Sequence, residues 1–438
     1  VEHLPVVVVG AGPAGLAAAA HLVERGLEPL VLEAGPVAGA AVAQWHHVRL
    51  FSAWSELVDP AAARLLESTG WQRPDPEVYP TGQQWAQLYL QPLAKALGER
   101  VRFNTQVTGV ARRGRDRVVD AGRDSEPLTV HAGDERITAR AVIDASGTWS
   151  TPNPLGGDGL PAAGEVAAAE RITYRVPDLS DADVRARYAG KRIVVAGSGH
   201  SALTALVALG QLAEQVRGTK VVWLLRRGAV GNVFGGGDAD QLPARGALGQ
   251  LAQAHARAGY VDTVTGFRTA EVEQTADGLV LTSQDGHRLD PVDEVVVLTG
   301  FRPDLSWLSE LRLELDATLQ APVALAPLID PNVHSCGTVY PHGVKELSHP
   351  EPNVYLVGMK SYGRAPTFLA MTGYEQVRSV VAAIAGDRAS AERVELVLPE
   401  TGICGGAGVF DQPADDAGGG CCGTVGAQPV TLSVGAPN

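Results

Sequence analysis

Lysine is scarce in this chain. Lys95, Lys191, Lys220, Lys345 and Lys360 are the whole set, and arginine supplies the rest of the 36 basic residues. Against them stand 49 acidic residues, for a net charge of −13. A polyanion-binding surface is excluded as the main business, so neither nucleic acid nor an anionic membrane is expected as a partner. Cysteine is scarce too: four in 438 residues cannot form a secreted disulfide framework. There is no C-x-x-C, which excludes a dithiol of that spacing beside a redox centre, and no G-x-S-x-G hydrolase elbow. A membrane span also fails. Residues 6–23 are nearly uncharged, but Gly10, Gly12, Pro13 and Gly15 interrupt them and no second apolar run follows. No basic leader precedes the first strand, so a cytoplasmic protein is expected.

Glycine, by contrast, is abundant, with 51 residues, and many of them belong to a pattern that occurs twice. In the first copy the apolar strand Val6–Val9 runs into Gly10-Ala11-Gly12-Pro13-Ala14-Gly15. A small-residue helix over 16–24 follows, then a strand ending Leu30-Val31-Leu32-Glu33. In the second copy Ile193-Val194-Val195-Ala196 runs into Gly197-Ser198-Gly199-His200-Ser201-Ala202. A helix over 203–216 and a strand over 221–225 follow, the latter reaching Arg226-Arg227. Each copy later has a hairpin turn, at Gly133-Asp134 and Asp277-Gly278. Each closes on an apolar strand and a small-Ser/Thr-Gly turn, at Ala145-Ser146-Gly147 and Leu298-Thr299-Gly300. The fold class expected is α/β, with two Rossmann-like dinucleotide-binding domains in three layers.

Each glycine motif has a physical reading. Gly10 allows the tight turn, Gly12 lets backbone approach a pyrophosphate at the helix N-terminus, and Gly15 lets helix and strand pack closely. Glu33 is placed to accept hydrogen bonds from ribose hydroxyls. In the second copy Arg226 and Arg227 stand where an acid would be. A carboxylate repels a ribose 2′-phosphate, whereas a guanidinium pairs with it. The contrast assigns FAD to the first copy and NADPH to the second. The competing reading of Arg226 and Arg227 is a pair of solvated surface charges.

On these motifs the chain resembles the two-dinucleotide-domain flavoproteins, the group spanning flavin-containing monooxygenases and thioredoxin-reductase-like enzymes. Ala145-Ser146-Gly147-Thr148-Trp149 and Thr299-Gly300-Phe301-Arg302-Pro303 belong to the same resemblance, which covers residues 4–395. The segment Trp45-His46-His47-Val48-Arg49-Leu50-Phe51-Ser52 looks like the monooxygenase stretch along the isoalloxazine, and Tyr79-Pro80-Thr81-Gly82 with Tyr89-Leu90 resembles that group too. More narrowly, Arg49-Leu50-Phe51-Ser52 plus a cysteine-bearing tail is similar to flavin-binding monooxygenases of bacterial arsenic-resistance operons. The resemblance implies FAD contacts from Trp45, Arg49, Leu50, Phe51, Ser52, Val107, Ala145, Ser146, Gly147, Gly358 and Met359, beside Gly10, Gly12, Pro13, Ala14, Gly15 and Glu33. It implies NADPH contacts from Gly197, Ser198, Gly199, His200, Ser201, Arg226, Arg227, Thr299 and Gly300. Two departures stand out. The monooxygenase fingerprint F-x-G-x-x-x-H-x-x-x-[F/Y] is missing, since residues 150–196 contain neither Phe nor His. The usual Gly-Asp beside the ribityl chain reads Gly358-Met359.

The expected domains are an FAD-binding domain from 1–153 and 321–395, an NADPH-binding domain from 154–320, and a tail from 396–438. The strand at 354–358 and the helix over 368–385 are given to the first domain. From residue 401 onward there is no Lys, Arg or His, and a mobile tail is expected. It carries Cys404 and the vicinal Cys421-Cys422, each flanked by glycines. Soft thiolates on such an arm suit thiol–disulfide exchange or capture of a trivalent arsenical, so all three are candidate catalytic residues. Incidental tail cysteines are the plain alternative. No metal site is expected: His334, His342 and His349 with Cys336 and Glu346 fit no ligand spacing. His46 and His47 are expected to line or support the flavin pocket. The function expected is an FAD-dependent, NADPH-oxidising monooxygenase-like oxidoreductase, with a small-molecule substrate such as a trivalent arsenical or thiol compound. A thiol, disulfide or metalloid reductase using the tail is the alternative, and a flavin redox sensor or soft-metal module without turnover is a third. A homodimer is left open.

Overall fold

The computed structural model describes residues 3–231, 233–235, 237–239, 243–332, 341–366 and 368–396. Cys336, Cys404, Cys421 and Cys422 lie outside these residues, as does the tail from 397. Along the chain, β1 (Val6–Val9), α1 (Pro13–Glu24) and β2 (Pro29–Leu32) form the first βαβ start, followed after several short helices by β3 (Val101–Arg102). An antiparallel trio comes next, β4 (Val107–Arg112), β5 (Leu128–Ala132) and β6 (Glu135–Ala139), then β7 (Ala141–Asp144). The second half runs β8 (Ile172–Thr173), β9 (Arg192–Ala196), α2 (His200–Gln215), β10 (Lys220–Leu224), α3 (Pro243–Arg257) and β11 (Val261–Val264). The hairpin β12 (Thr269–Thr275) with β13 (Gly278–Ser283) follows, then β14 (Glu294–Val297). Last come β15 (Val354–Leu356) and α4 (Ala370–Ile384).

Two five-stranded parallel sheets result, in the orders β15-β7-β1-β2-β3 and β11-β10-β9-β14-β8. In both, the strand before the glycine turn is central, flanked by the next strand of its unit and by the closing strand. Both central strands are buried on two faces, which is why they read as unbroken apolar runs rather than alternating ones. Val6 and Val8 face the core shared with α1 and α4, while Val7 and Val9 face the antiparallel trio. Likewise Ile193 and Val195 face α2, and Val194 and Ala196 face the β12–β13 hairpin.

Both helices start earlier than their apolar pattern predicts: α1 at Pro13 and α2 at His200. Proline at the first helical position lacks the N–H that would be an orphan there, so it favours the start. Residues 305–315, inside the span expected for the NADPH-binding domain, reach the first sheet. Leu308 and Leu311 pack with Val7, Val9 and Val354 in the core of the first sheet. The chain therefore returns just after the Gly300 turn, because these leucines cover the apolar face of β4–β6. Among the described residues, no helix is long and apolar enough to cross a membrane.

This return is locked by Glu351, a fully enclosed carboxylate. It accepts from Arg112 Nε and Arg123 Nη2, each at 2.7 Å, and from the Arg312 backbone N–H at 2.9 Å. Nearby, His349 Nδ1 accepts from the Glu314 N–H at 3.3 Å, while its Nε2 has no hydrogen-bond partner among the described residues. Burial pushes the His349 pKa down to about 4, against roughly 6.5 in an unfolded chain. Between those values the unfolded chain binds the extra proton. The stabilising contribution of neutral His349 is therefore complete above about pH 6.5 and is lost as pH falls toward 4. His349→Asn keeps an acceptor for Glu314 and cannot be protonated in this range. Its melting temperature is expected to gain on the wild type's as pH is lowered through that window; parallel curves of melting temperature against pH would contradict this.

Candidate active site

The carboxyl ends of β1 and β7 open onto the first glycine turn. Gly10 takes φ +100°, and a Cβ there would lie 2.8 Å from the Ala145 carbonyl oxygen. A Cβ on Gly15 would sit 1.9 Å from the Gly10 oxygen, so only glycine permits this closeness of helix and strand. Gly12 is different: nothing lies within 4 Å of its notional Cβ. It caps α1 without a side-chain hydrogen bond, so the first-turn N–H groups face clear space. Glu33 borders that space. Its Oε2 accepts the Ala11 N–H and its Oε1 the Gly35 N–H, both at 2.7 Å, which fixes the carboxylate at the mouth of the turn.

The second turn repeats this geometry. Gly197 has φ +133°, with Leu298 O 2.2 Å from a notional Cβ. Gly199 caps α2 without a side-chain bond, and its Cβ position is again open. Ser198 is half-buried and Ser201 exposed on this turn. Arg226 is exposed and Arg227 half-buried at the end of β10. Burial, and then the adjacent Arg226 charge, lower the Arg227 pKa. Two cations held this close favour an anion between them. Thr299 Oγ1 donates to the Asn153 and Pro154 carbonyls, each at 3.3 Å, and Gly300 has φ +97°.

Two stretches separately noted in the sequence form one ribbon. Residues 46–50 pair with 80–83 through Leu50 N–H to Pro80 O, Gly82 N–H to Val48 O and Gln83 N–H to His46 O, each at 2.9 Å. Arg49 Nη1 donates to the Tyr79 carbonyl at 2.5 Å. Gly82 is required because a Cβ would meet the Trp45 ring at 2.7 Å. From this ribbon Phe51 reaches the other half: its ring lies edge-on to His200, centroids 5.1 Å apart. Phe51 and the second glycine turn are thereby brought together. Ser52 follows at the ribbon's end, and Val107 is buried at the start of β4.

A buried charge pair under the first turn is not evident from sequence patterns, although an aspartate closing the apolar run Val142-Ile143 marks the place. Asp144 and Lys360 are both almost wholly enclosed, with Nζ 2.7 Å from Oδ2. Ser146 donates to Asp144 Oδ1 through its hydroxyl at 2.6 Å and its N–H at 3.0 Å, and its Oγ accepts from Lys360 at 3.0 Å. Trp307 lies beneath the ammonium, 4.4 Å from ring centroid to Nζ. Gly358, two residues before, has φ +67°, and its N–H donates to Gln376 Oε1 at 2.8 Å. Met359, between them, is half-buried.

The remaining histidines are dispersed. His342 Nε2 meets Gln376 Nε2 at 2.8 Å in the interior, and Glu346 accepts the Gly343 N–H at 3.0 Å as a helix cap. His334 and Cys336 lie outside the described residues. His46 and His47 instead converge with Asp178, a residue with no sequence signal of its own.

Three comparisons bear on this arrangement. A ferredoxin–NADP reductase from Ignicoccus hospitalis is 27% identical over 316 residues, covering 70% of this chain and 81% of that protein. The bacillithiol disulfide reductase Bdr from Bacillus cereus superposes with a TM-score of 0.63 at 20% identity, over 87% of this chain and 99% of that one. A flavin-containing monooxygenase from Stenotrophomonas maltophilia superposes with a TM-score of 0.52 at 24% identity, over 88% of this chain and all of that one. At such identities the two structures show a shared fold. Residues 7–327 match the sequence profile of the pyridine nucleotide-disulphide oxidoreductases, and the chain belongs to that family.

Proposed function

We propose that this protein is an FAD-dependent, NADPH-oxidising oxidoreductase of the flavin-monooxygenase type. The observation that carries the reading is the pair of glycine turns. Each opens on clear space in front of an uncapped helix N-terminus, and the two are joined through the contact of Phe51 with His200. An uncapped N-terminus with no Cβ in the way is what a pyrophosphate needs. The residues present thus fit both dinucleotides. Once bound, FAD supplies the hydride acceptor and the route for electrons onward, and NADPH supplies the hydride.

The chain's own groups do the positioning. The α1 N-terminus balances the FAD pyrophosphate, and Glu33, already pinned by two N–H groups, offers its remaining lone pairs to ribose hydroxyls. Gly358 and Met359 border the ribityl side, with Lys360 and Asp144 beneath. The α2 N-terminus balances the NADPH pyrophosphate, and Arg226 and Arg227 hold the 2′-phosphate. Phe51 sets how closely the second turn approaches the first. Without a C-x-x-C, the sequence offers no neighbouring dithiol of that spacing, which favours oxygen as the electron acceptor. A second reading, reduction of a disulfide or trivalent arsenical, is favoured by the vicinal Cys421-Cys422 with Cys404 upstream. A flexible linker of 17 residues spans roughly 20–25 Å, enough for the three thiols to meet. Both readings take a small-molecule substrate.

Three outcomes are expected. Gly12→Glu puts bulk and negative charge into the clear space, and its Cβ meets no protein atom within 4 Å, so the variant should fold normally and lose its flavin. Full flavin content by absorbance would remove the assignment of the first turn. Arg226→Ala should cost roughly 1.5–3 kcal/mol toward NADPH and little toward NADH. That is one to two decades in the ratio of kcat/KM for the two coenzymes, and an unchanged ratio argues against a 2′-phosphate site. Finally, NADPH-reduced protein mixed with oxygenated buffer in stopped flow should release peroxide with a lag behind the loss of reduced-flavin absorbance. Release in step with the loss of reduced flavin would overturn the monooxygenase reading, and turnover that fails only with disulfide acceptors in Cys421→Ser/Cys422→Ser would support the second.

A further inference from the structure

We propose that His46, His47 and Asp178 form a binding site for a divalent transition metal of the zinc class at the seam between the two halves of the chain. One ligand atom from each of the three lies within 4.8 Å of the others. The two histidines sit on the ribbon that carries Phe51, and Asp178 lies on the loop after β8 of the second sheet. Two imidazoles and one carboxylate are a donor set for borderline divalent ions, with bonds near ~2.1 Å and hence roughly 3–3.5 Å between neighbouring ligand atoms. His46 Nε2 and Asp178 Oδ2 are already 3.1 Å apart.

The surrounding contacts aim these atoms. His46 Nδ1 lies 3.2 Å from the Ala43 carbonyl, so it carries the proton and Nε2 presents its lone pair. Asp178 Oδ1 accepts from the Ser180 hydroxyl at 2.6 Å and the Ser180 N–H at 3.0 Å, which leaves Oδ2 to face the histidines. Outer contacts of this kind fix tautomer and rotamer at metal sites. His47 provides the second observation. Both its ring nitrogens are buried and make no well-formed hydrogen bond among the described residues, with only the Val176 and Pro177 backbone and the Asp178 charge close to the ring. An imidazole taken out of water for such loose contacts loses more than it gains, and a bound ion would offset that loss. The alternative, a plain hydrogen-bonded pair between His46 and Asp178, leaves His47 with its loose backbone contacts alone. His46 is about half exposed, so an ion has a way in and water has a fourth position.

The test uses the full chain, stripped with chelator and titrated calorimetrically with zinc chloride, with magnesium chloride as the hard-ion control. The tail thiols also bind zinc, so the readout is the difference between proteins. His47→Gln and Asp178→Asn are expected to bind one equivalent fewer than wild type. Ser180→Ala, which touches no ligand atom of the ion, should keep that equivalent with about 10–100-fold weaker affinity. Cobalt in place of zinc should give one equivalent without a thiolate charge-transfer band, absent from both ligand variants. Unchanged stoichiometry in His47→Gln and Asp178→Asn overturns the proposal. So does equal affinity for magnesium, or a thiolate band on every cobalt equivalent. Melting curves of the metal-free proteins show whether the variants are folded, and Ser180→Ala decides the matter if they are not.

Discussion

Lys360 is buried against Asp144 at the point where β7 ends, and the architecture around the first glycine turn depends on that pairing. Two charges withdrawn from water cost several kcal/mol each unless they meet each other and further donors. Here the ammonium has the carboxylate, the Ser146 hydroxyl and the face of Trp307. One salt bridge therefore ties together the exit of β7, the turn at 145–147, the turn after β15 and the segment that returns from the second half. Removing either partner would leave the other charge buried alone, a loss on the order of 3–5 kcal/mol. The single enclosed lysine of a lysine-poor chain sits at the floor of its candidate site.

The two halves solve one geometric problem with the same means. A central parallel strand, buried on both faces, delivers the chain to a glycine that no other residue can replace. A helix then starts immediately with its N–H groups open. Where the halves differ, they differ in charge: Glu33 closes the first turn and Arg226 with Arg227 the second. The shared part is backbone and the distinguishing part is side chain.

Much of this is legible in the sequence because it is local. Glycines at positive φ, hairpin turns at Gly133-Asp134 and Asp277-Gly278, and apolar runs of strand length all leave signatures within a few residues. What escapes is long-range. Nothing near Asp178 announces that it faces His46 and His47, about 130 residues away in sequence. The packing of Leu308 and Leu311 on the first sheet depends on an apolar face built by β4–β6, which their own spacing does not encode. Glu351 reads as an ordinary surface acid until Arg112 and Arg123 enclose it. Proline at 13 shifts a helix start that apolar periodicity alone puts three residues late.

The two crossings between the sheets are not independent strings. Pro152 pairs with Phe301, Asn153 N–H donates to Gly300 O, and Arg302 N–H donates to Thr151 O, at 2.9 and 3.0 Å. Trp149 stacks on Phe301 at 5.1 Å, and the Arg175 guanidinium lies over the Trp149 ring, 3.9 Å from its centroid. A pair of strands bonded in register resists sliding far more than it resists twisting. At this crossing, sliding of one sheet past the other is opposed more than twisting about the short ribbon.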